Sequence, residues 1–219
     1  MVYFPSMKKP ALIFDLDGTL WDSAAEVAEA WSEAGRRYLG SSFSLNKGDV
    51  YREMGKTMDQ IVADLIPDQG DAKLMKRISS DLFKTENEYL EKHPGKAFPD
   101  VVKTLRLLKE KGYRLYIVSN CQAGYIETFL PLVPNDLFSD HMCWSDTESD
   151  KHVTILKQME RAKEKEAIYI GDTQGDEKET HLAGLPFIHA AYGFGKANNP
   201  EGVINDFSEL PKELEKLGY

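Results

Sequence analysis

The feature that most constrains the fold is a series of short apolar runs, separated by patterns typical of helices. Continuous runs of this length are typical of strands in a parallel sheet that is covered on both faces. Strands alternating with helices in this way predict an α/β fold with a doubly wound parallel sheet. The predicted strands are Ala11–Phe14, Arg114–Val118, His141–Trp144, Ala167–Ile170 and Phe187–Ala190, and helical patterns cover Asp100–Lys111 and Lys151–Ala162.

One long stretch between the first and second predicted strands breaks this alternation. From Trp21 to Pro94 the residue pattern indicates helices only. The stretch begins with the capping-box pattern Ser23-Ala24-Ala25-Glu26, and helical patterns follow over Asn46–Leu65 and Asp71–Glu91. It is too long for a crossover connection. We therefore predict a small all-helical domain at residues 21–94, inserted into an α/β core formed by residues 1–20 and 95–219.

Charge and composition exclude several classes of protein. The chain has 219 residues and a formal net charge of −9, which argues against non-specific binding to nucleic acid or to a membrane surface. No apolar run approaches the ~18 residues of a membrane span, and no signal-peptide pattern is found. We expect the two cysteines, Cys121 and Cys143, to be reduced and the protein to be cytoplasmic. No protein partner can be inferred.

Two acids follow the first predicted strand directly. Asp15 and Asp17 are two residues apart, so both side chains face the same crevice beyond the strand. In doubly wound sheets this crevice is where ligands bind. Two carboxylates this close repel each other, and a bound cation or a proton relieves the repulsion. The plainer alternative is a strand that runs into an Asp-Gly turn.

Polar residues also follow three later strands. Asp172 and Asp176 come after one of them and can share a face of the next helix, and Ser119-Asn120 follows another. Lys151 begins a helix, where its charge opposes the helix dipole and needs a nearby anion. Each residue alone has an ordinary structural explanation. Their occurrence at the ends of four consecutive strands favours a shared site.

These motifs, in this order, resemble the four motifs of the haloacid dehalogenase superfamily. They are Asp15-Leu16-Asp17-Gly18-Thr19, Ser119, Lys151 and Gly171-Asp172-Thr173-Gln174-Gly175-Asp176, which together span nearly the whole chain. The helical insert resembles the cap of the subfamily that holds phosphoglycolate phosphatases and beta-phosphoglucomutases. The resemblance implies a Rossmann-like core and a Mg²⁺-dependent phosphatase that acts on a small phosphorylated metabolite.

The resemblance also implies a role for each motif residue. Asp15 would be the nucleophile that forms an aspartyl-phosphate, and Asp17 the general acid and then the base. Mg²⁺ would be held by the Asp15 carboxylate, the Asp17 backbone carbonyl and Asp172, with Asp176 as outer support. The transferring phosphoryl group would be bound by Ser119, Asn120 and Lys151.

Asp17 discriminates between activities within the superfamily. Members that attack carbon lack an acid at this position, and members that cleave phosphonates usually carry a small residue there. An acid at position 17 therefore indicates phosphomonoester chemistry. Three alternatives remain: a sugar-phosphate mutase, which returns the phosphoryl group to a sugar, a phospho-acceptor signalling module of the receiver type, and a catalytically inactive scaffold.

Residues of the helical insert are expected to select the substrate. Gly55 interrupts a helical pattern and predicts a turn that faces the crevice. Arg52 and Lys56 flank this turn, so they are candidates to bind a second acidic group on the substrate. The competing interpretation places both on a solvated helix surface.

Overall fold

A parallel six-stranded sheet forms the centre of the protein in a computed structural model that describes residues 9–219. The strands in this range are β1 (Ala11–Phe14), β2 (Trp21–Asp22), β3 (Lys96–Ala97), β4 (Arg114–Ser119), β5 (Phe138–Cys143), β6 (Ala167–Gly171), β7 (Phe187–Ala190) and β8 (Gly202–Ile204). The central sheet has the order β5-β4-β1-β6-β7-β8, and β2 pairs with β3 apart from it. Every pairing within the central sheet is parallel, as predicted.

Helices cover both faces of this sheet. Alternate residues of β1 belong to different apolar clusters: Leu12 and Phe14 pack in one, and Ala11 and Ile13 in the other. All four are fully buried, which explains why the strand is a continuous apolar run. The core helices are α5 (Val101–Glu110), α6 (Tyr125–Phe129), α7 (Lys151–Ala162), α8 (Gln174–Leu182) and α9 (Leu210–Lys216).

The sequence between β2 and β3 forms helices, as its pattern predicted. They are α1 (Ala24–Leu39), α2 (Lys47–Tyr51), α3 (Met58–Leu65) and α4 (Ala72–Leu90). The single pattern over Asn46–Leu65 is two helices, because Gly55 adopts a φ of +87° that an α-helix does not tolerate. Helices α1 and α4 pack against each other, with the Trp31 and Phe83 rings 6.3 Å apart.

Three predicted details of secondary structure are wrong. The stretch from Trp21 to Pro94 does contain a strand, because Trp21–Asp22 pairs antiparallel with Lys96–Ala97. The strand placed at His141–Trp144 is Phe138–Cys143, and Trp144 begins a 3₁₀ turn. Strand β8 was not predicted, since three residues that begin with glycine give no strand pattern.

The capping box predicted at Ser23 is also wrong. Ser23 precedes α1, but its side chain accepts no hydrogen bond from that helix. Its hydroxyl instead contacts Asp17 Oδ1 at 2.8 Å. The Asp22 side chain accepts from the backbone N–H of Ala24, the first residue of α1. Asp22, rather than Ser23, therefore satisfies one of the free N–H groups at the start of this helix.

Two further expectations concern the state of the cysteines and the absence of a membrane span. Cys121 and Cys143 are buried free thiols. Within residues 9–219, no helix is both long and apolar enough to cross a membrane.

Candidate active site

The carboxyl ends of β4, β1 and β6 lie side by side, and the predicted acids follow β1 and β6. Asp15 follows β1, and its backbone N–H donates to the Ile170 carbonyl of β6 at 2.8 Å. Gly18 then turns the chain with a φ of +79°, and a Cβ there would lie 2.2 Å from Asp172 Oδ2. Only glycine therefore allows the loop after β1 to approach Asp172 this closely.

Lys151 joins the acids of two strands. Its ammonium donates to Asp15 Oδ1 at 2.9 Å and to Asp176 Oδ1 at 2.5 Å. Burial opposes the positive charge, but the two acids outweigh this effect and raise the pKa of Lys151 well above its ordinary value. The anion that the sequence argument required near Lys151 is thus this pair of carboxylates.

Both carboxylate oxygens of Asp176 are hydrogen-bonded to neighbouring residues of the site. Its Oδ2 accepts from the Thr173 hydroxyl at 2.7 Å and from the Thr173 N–H at 3.0 Å, while Oδ1 accepts from Lys151. Both carboxylate oxygens are therefore occupied by partners in the protein. This placement is the one expected of a residue that orients its neighbours.

Asp15, Asp172 and Asp176 offer oxygens that lie within 4.8 Å of one another. Burial raises the pKa of Asp15 to about 7 against the opposing effect of Lys151. Burial also raises the pKa of Asp172, and the neighbouring acids Asp176 and Asp15 raise it further. Three buried acids beside one lysine leave negative charge without a counter-charge.

One oxygen of this group has no partner. Asp172 Oδ2 accepts from the Phe194 N–H at 2.7 Å, but Oδ1 is buried without a hydrogen bond in the described part of the chain. A buried carboxylate oxygen of this kind is costly unless a proton or a cation compensates it. The donor set, hard oxygens at excess negative charge, fits Mg²⁺.

Asp17 faces a separate cluster of donors. Its Oδ1 is contacted by Trp21 Nε1 at 2.9 Å, Ser23 Oγ at 2.8 Å and the Tyr125 hydroxyl at 2.8 Å. Burial raises the pKa of Asp17 to about 6, although these three hydrogen bonds oppose the rise. A pKa near neutrality suits a group that must both give and take a proton.

The second strand end contributes Ser119 and Asn120. Ser119 is 5% exposed and lines the same cavity as Asp15, Asp17 and Lys151. The Asn120 side-chain amide donates to the Gly55 carbonyl at 2.9 Å, so it connects the core to the helical insert. Gly55 itself lies against Thr173, and a Cβ on it would come within 3.0 Å of that side chain.

The two cations proposed for substrate selection have different positions. Arg52 does not fit the role, because its side chain is 66% exposed and pairs with Asp49 at 2.6 Å. Lys56 does line the cavity, but its ammonium contacts Glu53 at 2.5 Å and Asp64 at 2.7 Å. The turn at Gly55 does face the crevice, whereas the flanking charges are already paired.

Several residues of the cavity were missed by the sequence argument. Trp31 lines the cavity, and Trp21 is buried beside Asp17; the indole N–H of each donates to a carboxylate. Glu86 on α4 is 3% exposed and accepts from Trp31 Nε1 at 2.6 Å. A signal for Glu86 was available: Ile78, Leu82, Glu86 and Leu90 repeat every four residues along one buried face of α4.

Glu86 leads to a testable dependence of stability on pH. Burial raises the pKa of Glu86 to about 8 from an ordinary value of 4.5. Between these values the folded chain holds a proton that the unfolded chain has released, so stability falls as pH rises through this window. We expect the free energy of unfolding to fall more for the wild type than for Glu86→Gln between about pH 5 and pH 8, measured by urea denaturation.

The matched control is Glu88→Gln. Glu88 lies on the same helix, its side chain is 57% exposed, and it pairs weakly with Lys84 at 3.7 Å. This variant should follow the pH dependence of the wild type. Parallel curves for the wild type and Glu86→Gln would contradict the assigned environment of Glu86.

The sheet and its crevice define a class of protein: an α/β enzyme with acids on neighbouring strand ends and a lysine that bridges them. Over residues 12–190 the sequence matches the family described as haloacid dehalogenase-like hydrolase. The chain belongs to this family. It is a phosphatase of the family, so the receiver-type alternative is wrong.

Individual relatives agree with this placement. The chain is 28% identical to a phosphoglycolate phosphatase from Aquifex aeolicus, with 94% of this chain and 95% of the relative covered. It is 25% identical to the phosphoglycolate phosphatase of Mesorhizobium japonicum, with 95% and 96% covered. The fold is similar to that of a haloacid dehalogenase-like family hydrolase from Streptococcus pneumoniae, with a TM-score of 0.78 at 20% identity, covering 94% of this chain and 99% of the other.

Proposed function

We propose that the protein hydrolyses a small phosphomonoester through an aspartyl-phosphate on Asp15, with Mg²⁺ as cofactor. The observation that carries this proposal is the environment of Asp17. Within residues 9–219, the three side chains that donate to Asp17 all contact Oδ1, so Oδ2 is available for a proton exchanged with the substrate. An alcohol leaves readily only if its oxygen is protonated, and Asp17, held in this way beside Asp15, can supply that proton.

The chemistry follows from the two acids. An Asp15 oxygen attacks phosphorus, the ester P–O bond breaks, and the leaving oxygen takes the proton of Asp17. Asp17 then removes a proton from water, the water oxygen attacks phosphorus, and the bond to Asp15 breaks. Inorganic phosphate leaves, and Asp17 is protonated again for the next cycle.

The other polar residues hold the phosphoryl group and the cofactor. Ser119, the backbone amide of Asn120 and Lys151 would bind the oxygens on which charge accumulates. Asp15, the Asp17 carbonyl and Asp172 would hold Mg²⁺, and the unpartnered Asp172 Oδ1 supports this assignment. When bound, the cation supplies positive charge that allows one anion to approach another.

We propose that residues 21–94 act as a cap over this crevice. The short β2–β3 ribbon lies at both joints of the insert, so it is the proposed hinge. The hydrogen bond from Asn120 to the Gly55 carbonyl is a contact between the core and the cap, which supports a closed arrangement. Closure would exclude water during the attack on phosphorus.

Metal removal tests the cofactor. EDTA should abolish the release of inorganic phosphate from a panel of phosphorylated metabolites, and added Mg²⁺ should restore it, because the excess negative charge around Asp172 needs a cation. Product analysis belongs to the same assay, since an isomerised sugar phosphate in place of free phosphate would identify a mutase. Full activity after chelation would rule out this model of the site.

A further inference from the structure

The loop after β7, residues 192–195, lies directly against Asp172. The Phe194 backbone N–H donates to Asp172 Oδ2 at 2.7 Å. A Cβ on Gly193 would lie 2.7 Å from that same oxygen, and a Cβ on Gly195 would lie 2.8 Å from the Asp172 carbonyl oxygen. The loop can approach Asp172 this closely because glycines flank Phe194 on both sides.

The hydrogen bond from this loop restrains the Asp172 carboxylate. With Oδ2 held by the Phe194 N–H, rotation of the carboxylate is restricted, and this restriction also limits the position of Oδ1. Oδ1 is the oxygen that is buried without a hydrogen bond in residues 9–219. Loss of a hydrogen bond to a ligating carboxylate typically lowers metal affinity about 10–100-fold. We therefore expect the position of the Phe194 N–H to affect the binding of Mg²⁺ at Asp172.

The α/β core anchors the chain on both sides of Phe194. The Tyr192 hydroxyl donates to the Thr19 carbonyl at 2.7 Å. Further along, the Glu177 carboxylate accepts from the Asn198 N–H at 2.9 Å. Phe194 lies between these anchors and between two glycines, which have no side chains to pack. Its own ring is therefore the group best placed to fix its backbone N–H.

The Phe194 ring packs against the helical insert. It lies 4.5 Å from the ring of Tyr51, the last residue of α2. It also lies 6.4 Å from the ring of Phe98, which follows β3 at the second joint of the insert. Aromatic pairs at these separations attract each other beyond the effect of burial alone. The insert thus contacts the one residue whose N–H holds Asp172 Oδ2.

Tyr51 is held in place on the insert. Its hydroxyl donates to Asp22 Oδ2 at 2.5 Å, and Asp22 belongs to β2 at the first joint. The Lys47 ammonium contacts the same oxygen at 2.6 Å and lies 4.7 Å from the centre of the Tyr51 ring. The Tyr51 ring is therefore fixed relative to α2. Movement of α2 away from the core would separate Tyr51 from Phe194.

We propose that Tyr51 is a positioning residue that couples closure of the cap to metal binding: its ring holds Phe194, and the Phe194 N–H holds Asp172. This inference rests on the proposed cap and on the proposed Mg²⁺ site. Mg²⁺ binds more tightly when the cap is closed, and bound Mg²⁺ in turn favours closure, because such coupling is reciprocal. The cation is thus bound most tightly in the state that excludes water from the crevice.

Titration calorimetry with Mg²⁺ alone tests the coupling without turnover. Tyr51→Ala removes the ring and should weaken Mg²⁺ binding about tenfold, the lower end of the range for a lost hydrogen bond to a ligating carboxylate. Tyr51→Phe keeps the ring and loses the hydrogen bond to Asp22. Its Mg²⁺ affinity should stay within about twofold of the wild type, because the aromatic contact is retained.

Phe194→Ala removes the same contact from the core side. It should weaken Mg²⁺ binding as Tyr51→Ala does, and the double variant should be little weaker than either single variant, because two residues that act through one contact are not additive. If one single variant fails to fold, as judged by thermal unfolding, the other still tests the contact. The matched control is Tyr89→Ala, since the Tyr89 ring is half-buried and packs 4.7 Å from His93 within the insert.

The Mg²⁺ dependence of phosphate release gives a second readout. Tyr51→Ala should need about tenfold more Mg²⁺ for its half-maximal rate and should recover most of kcat at saturating Mg²⁺, a pattern that general damage to the fold does not produce. Mg²⁺ affinities that are equal in the wild type and Tyr51→Ala would overturn the coupling and leave the proposed function intact. An equal loss in Tyr89→Ala would also overturn it. If the wild type itself binds no Mg²⁺, the proposed cofactor is wrong and the coupling is wrong with it.

Discussion

Replacement of Asp15 by Asn is expected to reduce phosphate release at least about 10⁴-fold, as removal of an attacking group does in other enzymes. The amide has the shape of the carboxylate but lacks its nucleophilic oxygen. The fold should tolerate the change, because burial already raises the pKa of Asp15 to about 7 and so disfavours its charge. Lys151 also keeps its contact with Asp176. The measurement is the single-turnover rate at saturating substrate and Mg²⁺.

Two controls make the Asp15→Asn result specific. Thermal unfolding should show a folded protein, and calorimetry should still detect binding of the phosphate ester. A loss of activity that accompanies unfolding would say nothing about a nucleophile. Turnover close to that of the wild type would show that another group attacks phosphorus.

Asp17→Asn is expected to cost about 10²–10⁴ in kcat for esters of poor leaving groups, because it removes the proton donor. The amide oxygen can still accept from Trp21, Ser23 and Tyr125, so the geometry of the loop should persist. Aryl phosphates need little protonation of the leaving group. Their first step should therefore be nearly normal, while the attack of water remains slow without a base.

The comparison of leaving groups is the critical control for Asp17. The wild type and Asp17→Asn should differ much more on an alkyl phosphate than on p-nitrophenyl phosphate when the first step is measured. An equal reduction of that step for both esters would contradict a role in proton transfer. It would indicate that Asp17 acts through the position of the loop.

The sequence predicts the core well because its signals are local. Ala11–Phe14 is a continuous apolar run because both faces of β1 are buried, and Asp15 follows directly. The parallel sheet then brings the ends of β1, β4 and β6 together without further information. The contacts of Lys151 could also be anticipated, since a lysine that begins a helix needs an anion.

The donors around Asp17 could not be predicted in this way. Tyr125 is 108 residues away from Asp17 in sequence, and only the fold places its hydroxyl there. Ser23 was misinterpreted because a serine before a helix is usually a cap, and here the carboxylate competes for the same hydroxyl. Such contacts depend on tertiary structure, and no residue spacing reports them.

The same dependence on tertiary structure limits the prediction of site residues within the helical insert, residues 21–94. Charge near a glycine break drew attention to Arg52 and Lys56, but the contacts with Asp49, Glu53 and Asp64 depend on side-chain geometry. Glu86, in contrast, lies in the apolar repeat of α4 and could have been noticed. An acid within an apolar stripe is a stronger signal of a buried site than a cation beside a turn.

Trapping of the phosphorylated enzyme tests the central claim most directly. The Asp17→Asn protein would be mixed with p-nitrophenyl phosphate and Mg²⁺, quenched in acid, digested and analysed by mass spectrometry. Fast formation and slow hydrolysis should leave a phosphoryl group on the peptide that contains Asp15, and the double variant Asp15→Asn/Asp17→Asn should carry none. A phosphoryl group on another residue, or release of phosphate with no modified peptide at any time, would contradict an aspartyl-phosphate on Asp15.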